Sequence, residues 1–261
     1  MFIQSVYSES SREALFDFIE QNPLGIFTTG IPSDTHAHLQ SSHIPWVLDR
    51  PSSPSHQNDS SPPIKLRGHI ARANPQAKAM IDSLISSNLA SGSALDSEVM
   101  ILFNGPYHHY VTPKFYTETV SASGKVAGTW NYAAVQVYGK ARIYHDAKSA
   151  ETDDYLIRQL YDLSDNSEKR IMGFTGEKGR DRPWNLNDVP RGYMNILKKA
   201  IIGIEISVDR VEGKFKMSQE KPKGDREGVV RGFEELGGDA AKYIARSVRE
   251  FGAKKEAAKE K

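Results

Sequence analysis

The residues with the clearest chemical potential lie at the entry to a long apolar segment, in Gly128-Thr129-Trp130-Asn131-Tyr132. The following stretch, residues 133–139, is rich in β-branched and aromatic residues and predicts a core strand. Thr129, Trp130 and Asn131 supply a hydroxyl, an indole and an amide, which together can stack on a flat ligand and hydrogen-bond to its edge. The alternative is core packing followed by a turn.

A second group of polar residues surrounds Gly68 at the predicted exit of another strand, namely Arg67, His69 and Arg72. Asn74-Pro75 then predicts a helix start, because Asn is a favoured N-cap and Pro suits the first helical position. Two guanidinium groups beside the free amides of a helix N-terminus would suit a phosphate. The alternative is that Arg67 is a solvated strand residue, Arg72 pairs with an acid and Asn74 only caps the helix.

The histidines raise the question of a metal. His36 and His38 are two residues apart and would share one face of a predicted strand over residues 36–48. With His43 and the His108-His109 pair, a zinc site is conceivable, because imidazoles are competent ligands without cysteine. No HExxH or similar helical spacing supports it, so we expect no metal site.

Several spaced motifs resemble one known family. They are His43-Ile44-Pro45, the stretch from Leu66-Arg67-Gly68-His69 to Asn74-Pro75, Gly203-Ile204-Glu205-Ile206, the stretch from Arg210 to Gln219, and Gly128-Thr129-Trp130-Asn131-Tyr132. Taken in chain order, they resemble the PaiB family of FMN-binding negative transcriptional regulators. The resemblance runs from about Met1 to about Phe233, and several motifs in order are far more specific than any one of them.

The resemblance implies an α+β protein built on a six-stranded antiparallel Greek-key split β-barrel with peripheral helices, usually as a homodimer with FMN. The cofactor-binding residues that we expect are His43, Arg67, His69, Arg72, Thr129, Trp130 and Asn131. Within this set we assign Arg72 to the phosphate and Trp130-Asn131 to the ring or its tail. No catalytic residue is assigned, although a flavin-dependent oxidoreductase is one reading.

Two places depart from the family pattern. Where Val-Pro commonly precedes Thr-Trp-Asn-Tyr, this chain has Ala127-Gly128, which adds backbone freedom just before the expected site. The family pattern Gly-Pro-His-x-Tyr-x-Ser-Pro is similar to residues 105–113 and maps onto His108, Tyr110 and Thr112, with Tyr107 as an extra residue. The alternative for this segment is a β-turn with packed rings.

Composition bounds the function. The chain has 261 residues, of which 38% are hydrophobic and 26% charged, as in a soluble globular protein. The absence of cysteine excludes disulfides, thiolate metal sites and a cysteine nucleophile. We see no signal peptide and no apolar run of about 20 residues, and therefore expect a cytoplasmic protein without a membrane partner. Dinucleotide, nucleoside-triphosphate and hydrolase motifs are also missing.

Three functions compete. The first is a flavin-binding module or flavin-dependent oxidoreductase, and the second is the DNA-associated regulator that the family name implies. From Lys198 onward there are 16 Lys/Arg and 12 Asp/Glu, a difference of 16 − 12 = +4, and the whole chain carries only +1. This charge predicts no tight sequence-independent DNA binding. The third is haem binding, because related split barrels bind haem and histidines are available as ligands.

The elements that must position these residues follow from local patterns. Ser10-Ser11 predicts the start of a helix that ends before Pro23, and residues 119–124 and 86–97 read as loops. Residues 51–63, rich in Ser and Pro, predict a mobile loop, and residues 254–261 a fraying tail.

The chain is expected to divide into a split-barrel domain over residues 1–236 and a C-terminal helix and tail over residues 237–261. The apolar stripe Ile244, Val248 and Phe251 suggests a dimer contact.

Overall fold

The computed structural model describes residues 1–50, 63–177 and 179–259. These residues form two compact units. The first unit comprises Met1–Phe18, Asn104–Gln136 and Glu212–Lys261, and the second comprises Ile19–Phe103 and Val137–Val211. The predicted mobile loop, apart from residue 63, and the last two residues of the predicted fraying tail lie outside the described residues.

Nine strands and seven helices occur within the described residues. The strands are β1 (Ser8–Glu9), β2 (Leu24–Gly30), β3 (Leu39–Pro45), β4 (Val47–Asp49), β5 (Lys65–Ala71), β6 (Ala94–Asn104), β7 (His109–Val111), β8 (Thr129–Tyr144) and β9 (Ile201–Lys216). The helices are α1 (Arg12–Gln21), α2 (Pro75–Ser86), α3 (Glu118–Ser123), α4 (Ala150–Asn166), α5 (Arg191–Ala200), α6 (Lys223–Leu236) and α7 (Asp239–Lys259). The protein therefore belongs to the mixed α and β class.

A large antiparallel sheet dominates the second unit, with the strand order β3-β2-β6-β8-β9-β5-β4. The β5–β9 ladder runs from Lys65 opposite Ser207 to Ala71 opposite Ile201. Alternation along the strands explains which face is covered: in β8, Val137, Ala141 and Ile143 are buried, in the period of two that a half-buried strand requires. In the first unit, β1 pairs with the end of β9 and β7 with the start of β8.

The α2 helix begins where the sequence predicts. The Asn74 side chain accepts a hydrogen bond from the Gln76 amide at 2.8 Å, and Pro75 occupies the first helical position. The side chain of Gln76 is also buried, and its Nε2 lies within hydrogen-bonding distance of the Phe27 carbonyl, the Thr29 hydroxyl and the Gln40 carbonyl, to which it can donate. One capped helix start thus holds two strands of the second unit.

The C-terminal apolar stripe is covered within the first unit. Ile244 and Val248 are buried, and the Phe251 ring stacks on Phe215 with centroids 5.7 Å apart. Because these side chains already have apolar neighbours in their own unit, the stripe gives the expected homodimer no support. The dimer itself stays a prediction.

Four local predictions were wrong. The single strand expected over residues 36–48 is two strands, β3 and β4, and His36 and His38 precede β3 instead of sharing a strand face. The β6 strand begins at Ala94, inside the predicted loop over residues 86–97. The predicted loop over residues 119–124 is largely the helix α3. The tail continues α7 to Lys259, since Ala, Glu and Lys are strong helix formers.

The α3 helix depends on a contact that local sequence does not reveal. Buried Asp225, in the first turn of α6, accepts hydrogen bonds from the amides of Glu118 and Thr119 at 2.9 and 3.0 Å and from the Thr119 hydroxyl. In return, the Glu118 carboxylate accepts from the Gly224 amide at 2.8 Å. The two helix starts therefore cap each other, which satisfies amides that each helix alone would leave unpaired.

We predict that Asp225→Asn lowers the free energy of unfolding by about 1–3 kcal/mol. The asparagine side chain has no negative charge and only one acceptor oxygen, so it cannot accept all the hydrogen bonds that the Asp225 carboxylate accepts. Burial alone would raise the pKa of Asp225, but hydrogen bonds from the Thr119 hydroxyl and from the amides of Thr119 and Glu118 outweigh it and hold the pKa below the usual 3.8. Chemical denaturation measures the change. Glu227→Gln, on the exposed face of the same helix, is the control and should be nearly neutral.

The same substitution gives a pH test. A carboxyl whose pKa is lower in the folded than in the unfolded chain stabilises the fold above its unfolded pKa, and the effect is lost as pH falls through the folded value. The stability gap between wild type and Asp225→Asn should be complete near about pH 6 and shrink below about pH 3.8. A gap that widens as pH falls would contradict this role.

Candidate functional site

Trp130 lies on an exposed aromatic surface of the first unit. The short strand β7 pairs with the start of β8 so that Tyr110 lies opposite Trp130. The two rings meet edge to face with centroids 6.0 Å apart, and the His108 ring is also 6.0 Å from Trp130. Trp130 is 52% exposed and Tyr110 45%. We call His108, Tyr110 and Trp130 the aromatic platform.

The departure at Ala127-Gly128 has a structural reason. A Cβ built at Gly128 would lie 2.0 Å from the Tyr110 hydroxyl, so any larger residue there must displace the tyrosine. Gly128 therefore gives Tyr110 room beside Trp130. Sequence analysis mapped His108 and Tyr110 onto a family pattern, with a β-turn of packed rings as the alternative, and the pairing of β7 with β8 is what connects them to Trp130.

Asn131 and Thr129 make internal contacts. Asn131 is fully buried, its amide donates to the Ser218 hydroxyl at 3.0 Å, and that hydroxyl lies 3.2 Å from the Asn131 carbonyl oxygen. Ser218 has a φ of +59°, a conformation that non-glycine residues rarely adopt. The Thr129 hydroxyl accepts from the Lys216 ammonium. These two residues therefore anchor the start of β8 and set the position of Trp130 between them.

In the second unit, Arg67 is buried at the centre of an ionic network. Its guanidinium binds Asp49 in a bidentate manner at 2.6 and 2.8 Å and donates to Asp162 at 2.7 Å. Burial would lower the pKa of Arg67, but hydrogen bonds to the two carboxylates raise it overall. Arg158 approaches the same two carboxylates at 3.7 and 3.6 Å from the solvent side. This geometry favours a structural role, and the predicted phosphate contact of Arg67 stays a prediction.

Arg72 holds three backbone carbonyls together. Its Nη2 donates to the carbonyls of His145 at 2.7 Å and Ile201 at 3.3 Å, and its Nε donates to that of Lys199 at 3.2 Å. Lys199 lies in the last turn of α5, where carbonyls lack helical partners and a cation is favoured. A guanidinium carries five N–H donors, so these contacts account for three and leave the two on Nη1 for a ligand or solvent.

The two remaining candidates, His43 and His69, differ in exposure. His43 is exposed on β3, where it lies opposite Ile26. His69, on β5, is largely buried; burial lowers its pKa, and its Nδ1 has no hydrogen-bond partner within the described part of the chain. His69 therefore keeps a neutral ring with an unused nitrogen.

The seven predicted residues fall into two groups by unit. Thr129, Trp130 and Asn131 belong to the first unit, and His43, Arg67, His69 and Arg72 to the second. Across residues 1–50, 63–177 and 179–259, no cluster of three or more His, Asp or Glu side chains could hold a metal ion. Over the same residues, none of the helices combines the length and apolar character needed to cross a membrane.

The chain belongs to the family described as "Putative FMN-binding domain", whose match covers residues 1–210. An uncharacterized protein of Aspergillus fumigatus is 50% identical over 260 residues, covering 98% of this chain and 99% of that protein. The protease synthase and sporulation protein PAI 2 of Bacillus subtilis is 24% identical over 248 residues, covering 94% and 95% of the two chains. The predicted membership of the PaiB family is thereby confirmed.

Among solved structures, the chain is similar to the flavocytochrome Anf3 of Azotobacter vinelandii. The TM-score is 0.42 at 11% sequence identity, covering 80% of this chain and 69% of that one.

Arg67→Lys is predicted to lower the free energy of unfolding by about 2–3 kcal/mol, because a lysine cannot reproduce the bidentate contact and leaves the carboxylates poorly matched. Arg158→Lys is the matched control, since it faces the same two carboxylates but is 66% exposed. It should change stability by less than about 1 kcal/mol. Equal losses in denaturant titrations of the two variants would contradict the central place of Arg67 in the network.

Proposed function

We propose that this protein binds FMN and that Trp130 stacks on the flavin ring. The observation that carries the proposal is the half-exposed position of Trp130 in a paired strand of a chain whose family is described as FMN-binding. A large aromatic ring left open to solvent is available to a flat ligand, and aromatic pairs prefer offset or edge-to-face contacts. Tyr110 and His108 flank it and limit how such a ligand can lie.

The rigid backing of the aromatic platform supports this role. Asn131 is locked to Ser218 and Thr129 to Lys216, so the residues on either side of Trp130 have fixed positions. A ring held in place before binding loses little conformational entropy when the ligand arrives. Thr129 and Asn131 thus serve the proposed site by positioning Trp130 more than by direct contact.

For the phosphate we keep Arg72 and assign its two Nη1 donors to the ligand. Its other donors are fixed on carbonyls of His145, Lys199 and Ile201, which would hold the guanidinium in one orientation. The unpaired Nδ1 of His69 is a further polar atom of the second unit that a ligand can satisfy. Arg67 fits the cofactor less well, because Asp49 and Asp162 already neutralise its charge.

The six-stranded split barrel belongs to the same proposal. Six strands of the sheet, in the order β3-β2-β6-β8-β9-β5, would form this barrel, while β4 continues the path beyond β5. A Cβ built at Gly68 of β5 would lie 3.0 Å from Ile44 of β3, and Asn74, just after β5, donates to the Ser42 hydroxyl at 3.1 Å. We propose that β3 and β5 close the barrel through side chains instead of a backbone ladder.

When bound, FMN supplies redox chemistry, while the chain supplies binding and orientation. The regulatory role, the homodimer and the cytoplasmic location implied by the family resemblance remain part of the proposal.

Trp130→Leu should weaken FMN and riboflavin alike by about 1 kcal/mol, since stacking on the ring is lost and the phosphate is untouched. Trp184→Leu is the control, because Trp184 is 53% exposed, like Trp130, but lies outside the platform. Fluorescence titration of each variant with both ligands measures the effect. The stacking role is wrong if both variants lose the same affinity or if Trp130→Leu loses none.

Arg72→Ala should weaken FMN by about 1.5–3 kcal/mol, the worth of a hydrogen bond to a charged group. Riboflavin lacks the phosphate and should bind wild type and variant almost equally. Because Arg72 also holds three carbonyls, thermal melting must show that the variant is folded at the titration temperature. An FMN affinity that is unchanged in the folded variant would exclude the phosphate role.

A further inference from the structure

The second unit contains a pocket that none of the expected flavin residues lines. It lies between α4, α5 and the turn Leu186–Asp188, and its volume is about 510 Å³. Pockets of this size are typical of small-molecule sites. Its walls combine apolar side chains with polar ones: the apolar ones include Ile157, Leu160, Leu186 and Met194, and the polar ones Tyr161, Asn187, Asn195 and Lys198.

Polar side chains lie at both ends of the pocket. The Tyr161 hydroxyl donates to the Asn187 side chain, which ties α4 to the turn. Lys198 also lines the wall, and its side chain is only 11% exposed. Its ammonium contacts the Asp153 carboxylate, which is 48% exposed. A pocket that combines an apolar wall with polar groups at defined positions suits an amphipathic ligand.

Lys198 has capacity for a ligand. An ammonium has three N–H donors, and one carboxylate at the rim does not saturate them. A smaller cleft of about 160 Å³ adjoins the pocket, because both are lined by Asn195 and Lys198, and the exposed Lys199 lies along this second cleft. Two lysines against one aspartate make this end of the pocket favourable for a single negative charge.

An apolar-floored cleft in the first unit, slightly smaller than the α4–α5 pocket, lacks such a preference. It lies between α6 and α7, has a volume of about 450 Å³, and carries both acids and bases along its rim. Arg226 pairs with Glu256, and Arg249 pairs with Glu234. With Lys223 4.0 Å from Glu227, six of the seven charged side chains that line the cleft are in ion pairs, so fewer of its charges are open to a ligand.

We propose that the α4–α5 pocket binds an amphipathic monocarboxylate. The apolar body lies against Leu160, Leu186 and Met194, where burial of apolar surface drives binding. The carboxylate accepts hydrogen bonds from Lys198, which is then neutralised by the ligand and Asp153 together. A neutral amphiphile offers no charged acceptor to the N–H donors that Asp153 leaves unused, so the carboxylate form is preferred. This site is independent of the proposed flavin site.

Calorimetric titration of the full chain with decanoate tests the proposal, with 1-decanol as the uncharged probe. Wild type should bind one decanoate per pocket, about tenfold or more tighter than decanol. Lys198→Met keeps the apolar stem and removes the charge, so it should reduce the decanoate affinity to that of decanol. Lys169→Met is the matched control: this lysine of the second unit also pairs with an aspartate, Asp165, but it lines neither the pocket nor the adjoining cleft, so decanoate binding should change by less than about threefold.

A second variant guards against a folding defect in Lys198→Met. Met194→Trp fills the pocket and should abolish binding of both probes, while thermal melting reports whether the chain is folded. The proposal is overturned if wild type binds no decanoate up to about 1 mM, or if Met194→Trp, folded, binds it as well as wild type. Equal losses in Lys198→Met and Lys169→Met would also overturn it. A parallel FMN titration separates this failure from failure of the flavin proposal.

Discussion

One tyrosine hydroxyl fixes α4 to the sheet of the second unit. Tyr155 donates to the Ile204 carbonyl of β9 at 2.5 Å and lies 3.2 Å from the Gly68 carbonyl of β5. Its ring stacks on Tyr144 with centroids 4.1 Å apart, and a Cβ at Gly203 would lie only 2.3 Å from it. Burial raises the pKa of Tyr155 well above its usual value, so the hydroxyl keeps its proton and remains a donor.

The position of α4 in turn places the side chains that bind Arg67 and that line the α4–α5 pocket. One face of the helix brings Asp162 to Arg67, while Ile157, Leu160 and Tyr161 form a wall of the pocket. In the first unit, buried Asp225 and the Asn131–Ser218 pair have a comparable effect on α3 and on the start of β8. In each unit, a few hydrogen-bonded buried polar groups specify where the short elements lie, as expected when an unmatched polar group is costly.

The sequence was informative where structure is local. The Asn74-Pro75 start of α2 and the core strand β8 follow from capping chemistry and residue alternation, and the family resemblance rests on ordered motifs. Local reasoning missed α3, because its cap comes from Asp225, more than a hundred residues later. It also missed the partners of Arg67, since Asp49 and Asp162 lie on a neighbouring strand and on a helix far along the chain. The aromatic platform was also missed, because the spacing of residues along the sequence does not reveal that β7 pairs with β8.

The central claim is that this chain binds FMN, and its most direct test is the absorption spectrum of the purified protein after incubation with FMN and removal of free ligand. The account predicts two near-visible flavin bands at about one flavin per chain. A folded protein that retains no flavin would contradict it. A Soret band from the protein as purified, with no flavin bands after incubation, would instead assign the chain to haem.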